Sequence, residues 1–478
     1  MRVERKGYYV WEIPREGGMH VPGRVLASPA LMDDLRGDVA LQQVANVAHL
    51  PGITGYSWAM PDVHLGYGFP IGGVAGTVPE QGGVISPGGV GYDINCGVRL
   101  ATCNLSRADA LPRMERLVAR LFETVPCGPH PHQSGFGEVS VADMKRVLRD
   151  GAAFVVKRGF GTGNDLEHCE ESGAMPGADP GEVSTAAIER GRHQLGSVGS
   201  GNHFVEVGYV SRVFDAEAAR VLGLAQDAVT VLVHCGSRGL GHQVCTDFLR
   251  EMGHTKLPFA LPDRQLACAP VDSELGRRYI AAMTAAANFA WANRQVLMVL
   301  AARAFSDVFG AGADRLGFRL VYDISHNIAK LEMHDVGGRR RRVCVHRKGA
   351  TRALPPGDDR IPAQYRGVGQ PVLIPGDMGR SSYVCVGAAF EGEHPFHSSC
   401  HGAGRRLSRR AAIRAGSGRS ITDELRAAGV VVMAKDRRTL AEEMPEAYKE
   451  VSRVVDVLHE VGLIRRVVEV KPLGVIKG

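Results

Sequence analysis

An α+β fold is predicted for this chain by three observations. Short β-branched runs and helical repeats are interleaved along the whole length without a regular βαβ rhythm. No internal repeat and no heptad pattern is present. Glycine is abundant, with 60 residues clustered in short runs between apolar segments. Because hydrophobic residues still make up 44% of the chain, that pattern reads as tight turns and close backbone approaches within a packed protein.

The elements follow in order. Ala108–Glu123 repeats its apolar residues at helical spacing. Pro126–Gly137, PCGPHPHQSGFG, reads as a surface loop. Val229–Val233 and Leu320–Tyr322 read as buried strands. Leu275–Val308 is the strongest helix, on length and on the helix propensity of its alanine-rich stretch Tyr279–Phe305, and we expect it only to pack. Gly337–Arg342, GGRRRR, has the form of a hairpin tip with a solvated charge run. A short helix is expected at Asp423–Ala428 and a longer one over Leu440–Val461.

The 478 residues carry 57 basic and 51 acidic side chains, a net charge of +6 that permits an anionic partner without demanding one. No run approaches the roughly 20 apolar residues of a membrane span, and the start MRVERKGYYVWEIP lacks a signal peptide's apolar run. The ten cysteines form no CxxC pair, so free thiols in a cytoplasmic enzyme are expected.

Candidate chemistry lies in segments where a polar residue is set among glycines. Asp93 and Cys96 stand three apart in GGVGYDINCGVR, where a carboxylate and a thiolate can converge on one cation. His203, His234 and His326 each adjoin an apparent strand. Imidazole, thiolate and carboxylate together suit a transition metal, zinc as readily as manganese, whereas magnesium takes oxygen ligands. Taken singly, each of these residues reads better as a satisfied core histidine or buried cysteine, and it is the five together in glycine-flanked settings that point toward a metal site. His394, His397 and His401 resemble a metal knuckle, but HGAGR sets His401 apart. The His130/His132 pair, flanked by proline, reads as a surface feature.

Phosphate binding has no Walker A or KxDG lysine motif to rest on. What remains is basic residues beside glycines and small hydroxyls: Arg380 with Ser381 and Ser382, Arg347 with Lys348, then Arg238, Arg405 and Arg409.

Taken together and in order, GYDINCG, GSGNHFVEV, VHCGSRGLG, DISHN, VHRKGATRA, PGDMGRSSYV and SSCHGAGR resemble the RtcB family of RNA ligases. The likeness runs from MPDVHLGYGFPIGG to the final KPLGVIKG. It implies one large ligase domain, residues 1–478, with mixed sheets around a central cleft for metal and GTP. It implies two manganese ions bridged by Cys96, one completed by Asp93 and His203, the other by His234 and His326. His401 would become covalently bonded to GMP. The guanine nucleotide pocket would comprise Asn202, Glu206, Asn327, Ser382, Gly402, Ala403, Gly404, Tyr448 and Lys477. The carboxylate of Glu206 would accept from the N1 and N2 donors of guanine, which adenine lacks, and Lys477 requires KPLGVIKG to fold back into the site. Arg190, Arg238 and Arg409 would grip RNA phosphates.

The implied reaction joins a 2′,3′-cyclic phosphate or 3′-phosphate RNA end to a 5′-hydroxyl end through an RNA(3′)pp(5′)G intermediate. It serves tRNA splicing or RNA repair, and an archease-type activator is an expected partner. A metallo-phosphohydrolase and a non-catalytic RNA-binding scaffold are the competing readings.

Overall fold

In the computed structural model, which describes residues 1–128, 134–255 and 259–478, two large mixed sheets are joined where Arg319–Ser325 of one leads through His326 into Asn327–Val336 of the other. His130 and His132 lie outside the described residues. The first sheet has seven strands and contains Ile53–His64, Ile71–Thr77 and the hairpin Asn327–Val336/Arg339–Lys348. The second has eight and contains Gly97–Ser106, Phe204–Val213, Ala228–Cys235, Arg319–Ser325, Ser382–Gly387 and Ile464–Lys477. Each is mostly antiparallel with one parallel pairing, Gly23–Leu26 beside Ile53–His64 in the first and Val431–Ala434 beside Ile464–Lys477 in the second. KPLGVIKG thus runs through the interior of the eight-stranded sheet, with Lys477 opposite Phe204.

The strands expected at Val229–Val233 and Leu320–Tyr322 lie within Ala228–Cys235 and Arg319–Ser325, hydrogen-bonded to either side of Gly97–Ser106. At the hairpin, Gly337 and Gly338 both take positive φ, as a two-residue primed turn requires. The four arginines therefore belong to the returning strand Arg339–Lys348 and not to the tip.

The longest helix is Glu274–Phe309, about 54 Å by its 36 residues. Ser273 caps its start by accepting from the Gly276 amide, and Gly310 ends it in the left-handed conformation. Most of its length is buried against the eight-stranded sheet and surrounding helices, which explains an apolar surface on all sides.

Further expectations need correction. Leu440–Val461 is not one helix: Pro445 cannot continue the hydrogen-bond ladder, so the chain breaks into Arg437–Glu442, a 3₁₀ turn at Pro445–Ala447 and Val451–Val461. The Ala108–Glu123 region is helical throughout but not one α-helix, since Pro112 sits in a 3₁₀ turn, Leu111–Arg113, that joins Arg107–Ala110 to Met114–Thr124. The described ends of Pro126–Gly137 are not a free surface loop, since Cys127 and Gly128 are buried and Cys127 bridges to Val198. The short helix expected at Asp423–Ala428 is present as Ile421–Ala427.

Candidate metal and nucleotide site

Five donor side chains meet at one end of the eight-stranded sheet, where His326 leads into the other sheet. Cys96 Sγ lies 3.4 Å from both His203 Nε2 and His234 Nε2. His203 Nε2 is 2.8 Å from Asp93 Oδ2, and His234 Nε2 is 3.3 Å from His326 Nε2. They form two sets, Asp93–Cys96–His203 and Cys96–His234–His326, with Cys96 common to both.

Local structure explains the convergence. His203 immediately precedes Phe204–Val213, His234 is next to last in Ala228–Cys235, and His326 joins Arg319–Ser325 to Asn327–Val336. The turn holding Asp93 and Cys96 needs Asn95 at φ +51°, a conformation held by its side-chain Nδ2 donating to Ala287 O at 2.7 Å. Backbone bonds then join this turn to the His326 loop: Asn95 N–H to Asn327 O at 2.7 Å and His326 N–H to Cys96 O at 2.8 Å. Gly236 is required on contact grounds, because a Cβ there would meet the Asp93 carboxylate at 2.4 Å.

The long helix does more than pack. Arg294, fully buried, donates to Asn95 O at 2.7 Å, Cys235 O at 2.9 Å and the Asp323 carboxylate at 2.7 Å. Asn293 accepts from the amides of Gly196 and Ser197 and donates to Gly236 O. The signal available in the sequence is the run of three polar residues, Asn293–Arg294–Gln295, in the alanine-rich middle of the helix. Arg294→Met should destabilise the fold by about 3 kcal/mol, because Asp323 keeps only Arg99 at 3.1 Å while the buried Asn95 and Cys235 carbonyls each lose a donor. Urea unfolding measures it, and an unchanged midpoint would refute the clamp.

The electrostatics suit a cation. Burial pushes the Cys96 thiol up to about 12, reinforced by Asp93. Burial also holds His234 and His326 well below the usual imidazole range, leaving their lone pairs free. Burial opposes charge on Asp93, but the His203 imidazole outweighs it and brings the carboxyl down to about 2. One thiol, three imidazoles and a carboxylate around a common point therefore fit a transition metal, which supplies the charge that a thiolate needs in so dry a place.

Beside the metal sets lies a cavity of about 310 Å³. His401 is on its wall, just after the strand Ser398–Cys400, with its ring centroid 5.0 Å from that of His326. Its Nδ1 is 2.6 Å from Asp62 Oδ2, which also accepts the His401 amide at 3.1 Å. Asp62 is fully buried on Ile53–His64 in the seven-stranded sheet. An ionised carboxylate accepts only, so Nδ1 carries the proton and Nε2 keeps its lone pair. Reading the sequence by residue type did not single out Asp62, although it lies within the quoted MPDVHLGYGFPIGG.

Asn202, Glu206, Asn327, Gly402, Ala403, Gly404, Tyr448 and Lys477 also line this cavity, as does Arg409 at its rim. Glu206 Oε1 is buried without a hydrogen-bond partner, and burial raises its carboxyl to about 8. Lys477 Nζ lies 3.9 Å from Glu443 Oε2, and the Tyr448 hydroxyl donates to the same carboxylate. Lys348, in the cavity wall, is lowered to about 7 by burial.

Ser382 is not brought to the cavity: it is buried behind the wall, its hydroxyl accepting from the Gly376 amide at 3.2 Å. Arg347 and Arg380 are committed internally, to Glu332 and to Asp377 with Glu450. Arg405 faces the cavity but is held by Glu443 at 2.9 Å. Arg190 and Arg238 line a neighbouring cavity that shares Asp93 and Asn202 with the first. There the Arg238 guanidinium is tied to Gly128 O at 2.8 Å. His394 and His397 stack on each other at 4.2 Å near His334, apart from His401 and the metal sets.

Residues 43–478 match the family model described as tRNA-splicing ligase RtcB. Proteins named tRNA-splicing ligase RtcB from Archaeoglobus fulgidus and Thermococcus kodakarensis are each 51% identical to this chain. The first alignment covers 98% of both chains, the second 98% of this chain and 97% of the relative. A protein named RNA-splicing ligase RtcB from Mycobacterium tuberculosis is 50% identical over 91% of this chain and all of its own length. Among the described residues no helix is long and apolar enough to cross a membrane.

Proposed function

Because this chain belongs to the RtcB family, we propose that it is an RNA ligase of tRNA splicing, joining RNA 3′-phosphate ends to 5′-hydroxyl ends through a guanylylated His401. Residues 1–478 act as one ligase unit in this reading. The observation that supports it best is the Asp62–His401 pair facing the shared-cysteine donor sets across one cavity. Two manganese ions are the proposed occupants, one held by Asp93, Cys96 and His203, the other by Cys96, His234 and His326. Bound there, they would neutralise phosphate charge as it develops.

His401 Nε2 attacks the α-phosphorus of GTP, forming a P–N bond while pyrophosphate leaves. Asp62 keeps the Nδ1 proton in place and offsets the positive charge that the ring acquires. An oxygen of the RNA 3′-phosphate then displaces His401 from the phosphorus, giving RNA(3′)pp(5′)G. The 5′-hydroxyl oxygen of the second strand attacks the RNA phosphorus, GMP departs and the hydroxyl proton is released. Attachment of GMP is needed because a phosphomonoester dianion is a poor electrophile without a good leaving group. A 2′,3′-cyclic end enters the same route after hydrolysis to the 3′-phosphate.

Glu206 selects guanine. Its unpartnered oxygen provides the acceptor that the guanine N1–H and N2–H require, and only the ionised form accepts from both. With the free carboxyl at about 8, guanine binding releases a proton, so GTP affinity should rise about tenfold per pH unit below that value and level off above it. Glu206→Gln should weaken GTP binding by about 2–3 kcal/mol, roughly a hundredfold, and flatten the pH profile. Calorimetry across this pH range reads both effects, and a pH-independent wild type would rule out the ionised acceptor.

Arg190, Arg238 and Arg409 are the proposed RNA phosphate contacts, and an archease-type protein is a proposed activator. The test of the whole reading is joining of a 3′-phosphate strand to a 5′-hydroxyl strand by the purified protein with manganese and GTP. Opening of cyclic ends without joining would favour a phosphohydrolase.

A further inference from the structure

Although the chain has a net charge of only +6, its unpaired cations are unevenly distributed. Two short helices, Arg409–Ala415 and Arg437–Glu442, pack together through Ala412 and Leu440 in one apolar cluster. Their outer surfaces and the adjoining Lys435 present Arg410, Arg414, Arg437 and Arg438, all exposed. None of these five cations has an ion-pair partner among the described residues. The nearby acids are otherwise engaged: Glu442 pairs with Arg409 at 2.8 Å, Glu443 with Arg405 at 2.9 Å, and Asp436 accepts the Arg438 amide at 2.8 Å.

This surface is continuous with the cavity. Arg409, the first residue of its helix, lines the cavity rim. Lys435 lies against Gly128, which also accepts from Arg238, and its amide donates to Lys477 O at 3.2 Å. Five cations at this density, with Asp436 the one carboxylate among them not paired to a basic side chain among the described residues, favour an extended polyanion that leads away from the reacting ends.

We propose that the helix pair Arg409–Ala415/Arg437–Glu442, with Lys435, is a track for the phosphate backbone of one RNA strand as it leaves the cavity. This rests on the ligase reading and names the surface that holds the body of the strand. No base is read there: the side chains offered are long, flexible and cationic, so the track is indifferent to sequence and sensitive to salt.

The test is a fourfold variant, Arg410→Ser, Arg414→Ser, Arg437→Ser and Arg438→Ser. Its affinity for single-stranded RNA ending in a 3′-phosphate is measured against salt for a strand of about 20 nucleotides and one of about four. At about 0.7 per phosphate contact, the slope of log affinity on log salt should flatten by about 2–3 for the long strand and not for the short one. KM in joining should rise at least tenfold for the long strand only, while guanylylation with GTP alone stays unchanged. An unchanged slope for the long strand would overturn the proposal, and so would equal loss on both lengths. The wild type separates the two ideas. Steep, length-dependent binding that the variant loses, without any joining by wild type, would leave the track standing and remove the ligase reading.

Discussion

His401→Ala is expected to take no label from α-phosphate-labelled GTP, whereas the wild type retains an acid-labile label after denaturation. Joining should fall by a factor on the order of 10⁴ or more, the scale of losing a covalent nucleophile. The structure adds a second arm. Asp62→Asn keeps the shape of the contact but can present an amide N–H to Nδ1, which turns the proton onto Nε2 and removes the lone pair. Labelling by Asp62→Asn should fall by about 10³–10⁴, comparable to other carboxylates that fix an imidazole tautomer. Metal content should be unaffected in both variants, since neither residue belongs to the donor sets. Full labelling of His401→Ala would disprove the assignment of the nucleophile.

Cys96→Ala is expected to have an effect of similar size through a different cause. Because one sulfur serves both donor sets, its loss leaves each with two protein ligands. Manganese affinity should drop by more than about a hundredfold and labelling should disappear with it. Cys96→Ser should not rescue either, since a serine hydroxyl does not ionise where even the thiol is pushed up to about 12. The same fact sets the sign of the pH dependence. The cation must displace the thiol proton, so wild-type affinity should rise with pH, and calorimetry in two buffers of unlike ionisation enthalpy should register proton release on binding. Retention of one tightly bound ion by Cys96→Ala would show that the sets do not depend on a shared ligand.

Much of this arrangement is legible in the amino-acid order, and the illegible part has a common cause. His203, His234 and His326 were visible because each stands at the end of a β-branched run, and strand ends stay where the sheet puts them. That they meet was not visible from spacing, since 107 residues separate Cys96 from His203 and 138 separate it from His234. Only the resemblance of whole motifs grouped them. Asp62 was hidden for the same reason: its partner lies 339 residues away, and a carboxylate within a strand has no local signature of its task. Pro445 is legible, but the apolar periodicity on both sides of it suggests one helix over Leu440–Val461, whereas a residue without an N–H cannot continue the ladder. Arg347 shows the opposite failure, as a basic residue beside glycine suggested phosphate while its true partner, Glu332, sits across the hairpin.

The nucleophile's orienting carboxylate belongs to one sheet and the imidazole and thiol donors cluster at the end of the other. Chemistry at His401 is therefore a gauge of the spacing between two slabs that are tied to each other at the His326 junction. A core substitution that slides one slab past the other by about 1 Å would leave each half intact, with its metal bound and its secondary structure unchanged, yet could slow guanylylation about a hundredfold. Slow variants with normal metal content should therefore cluster in the apolar layer that packs against Ile53–His64, including positions such as Val25 and Val44 that are no part of the cavity lining.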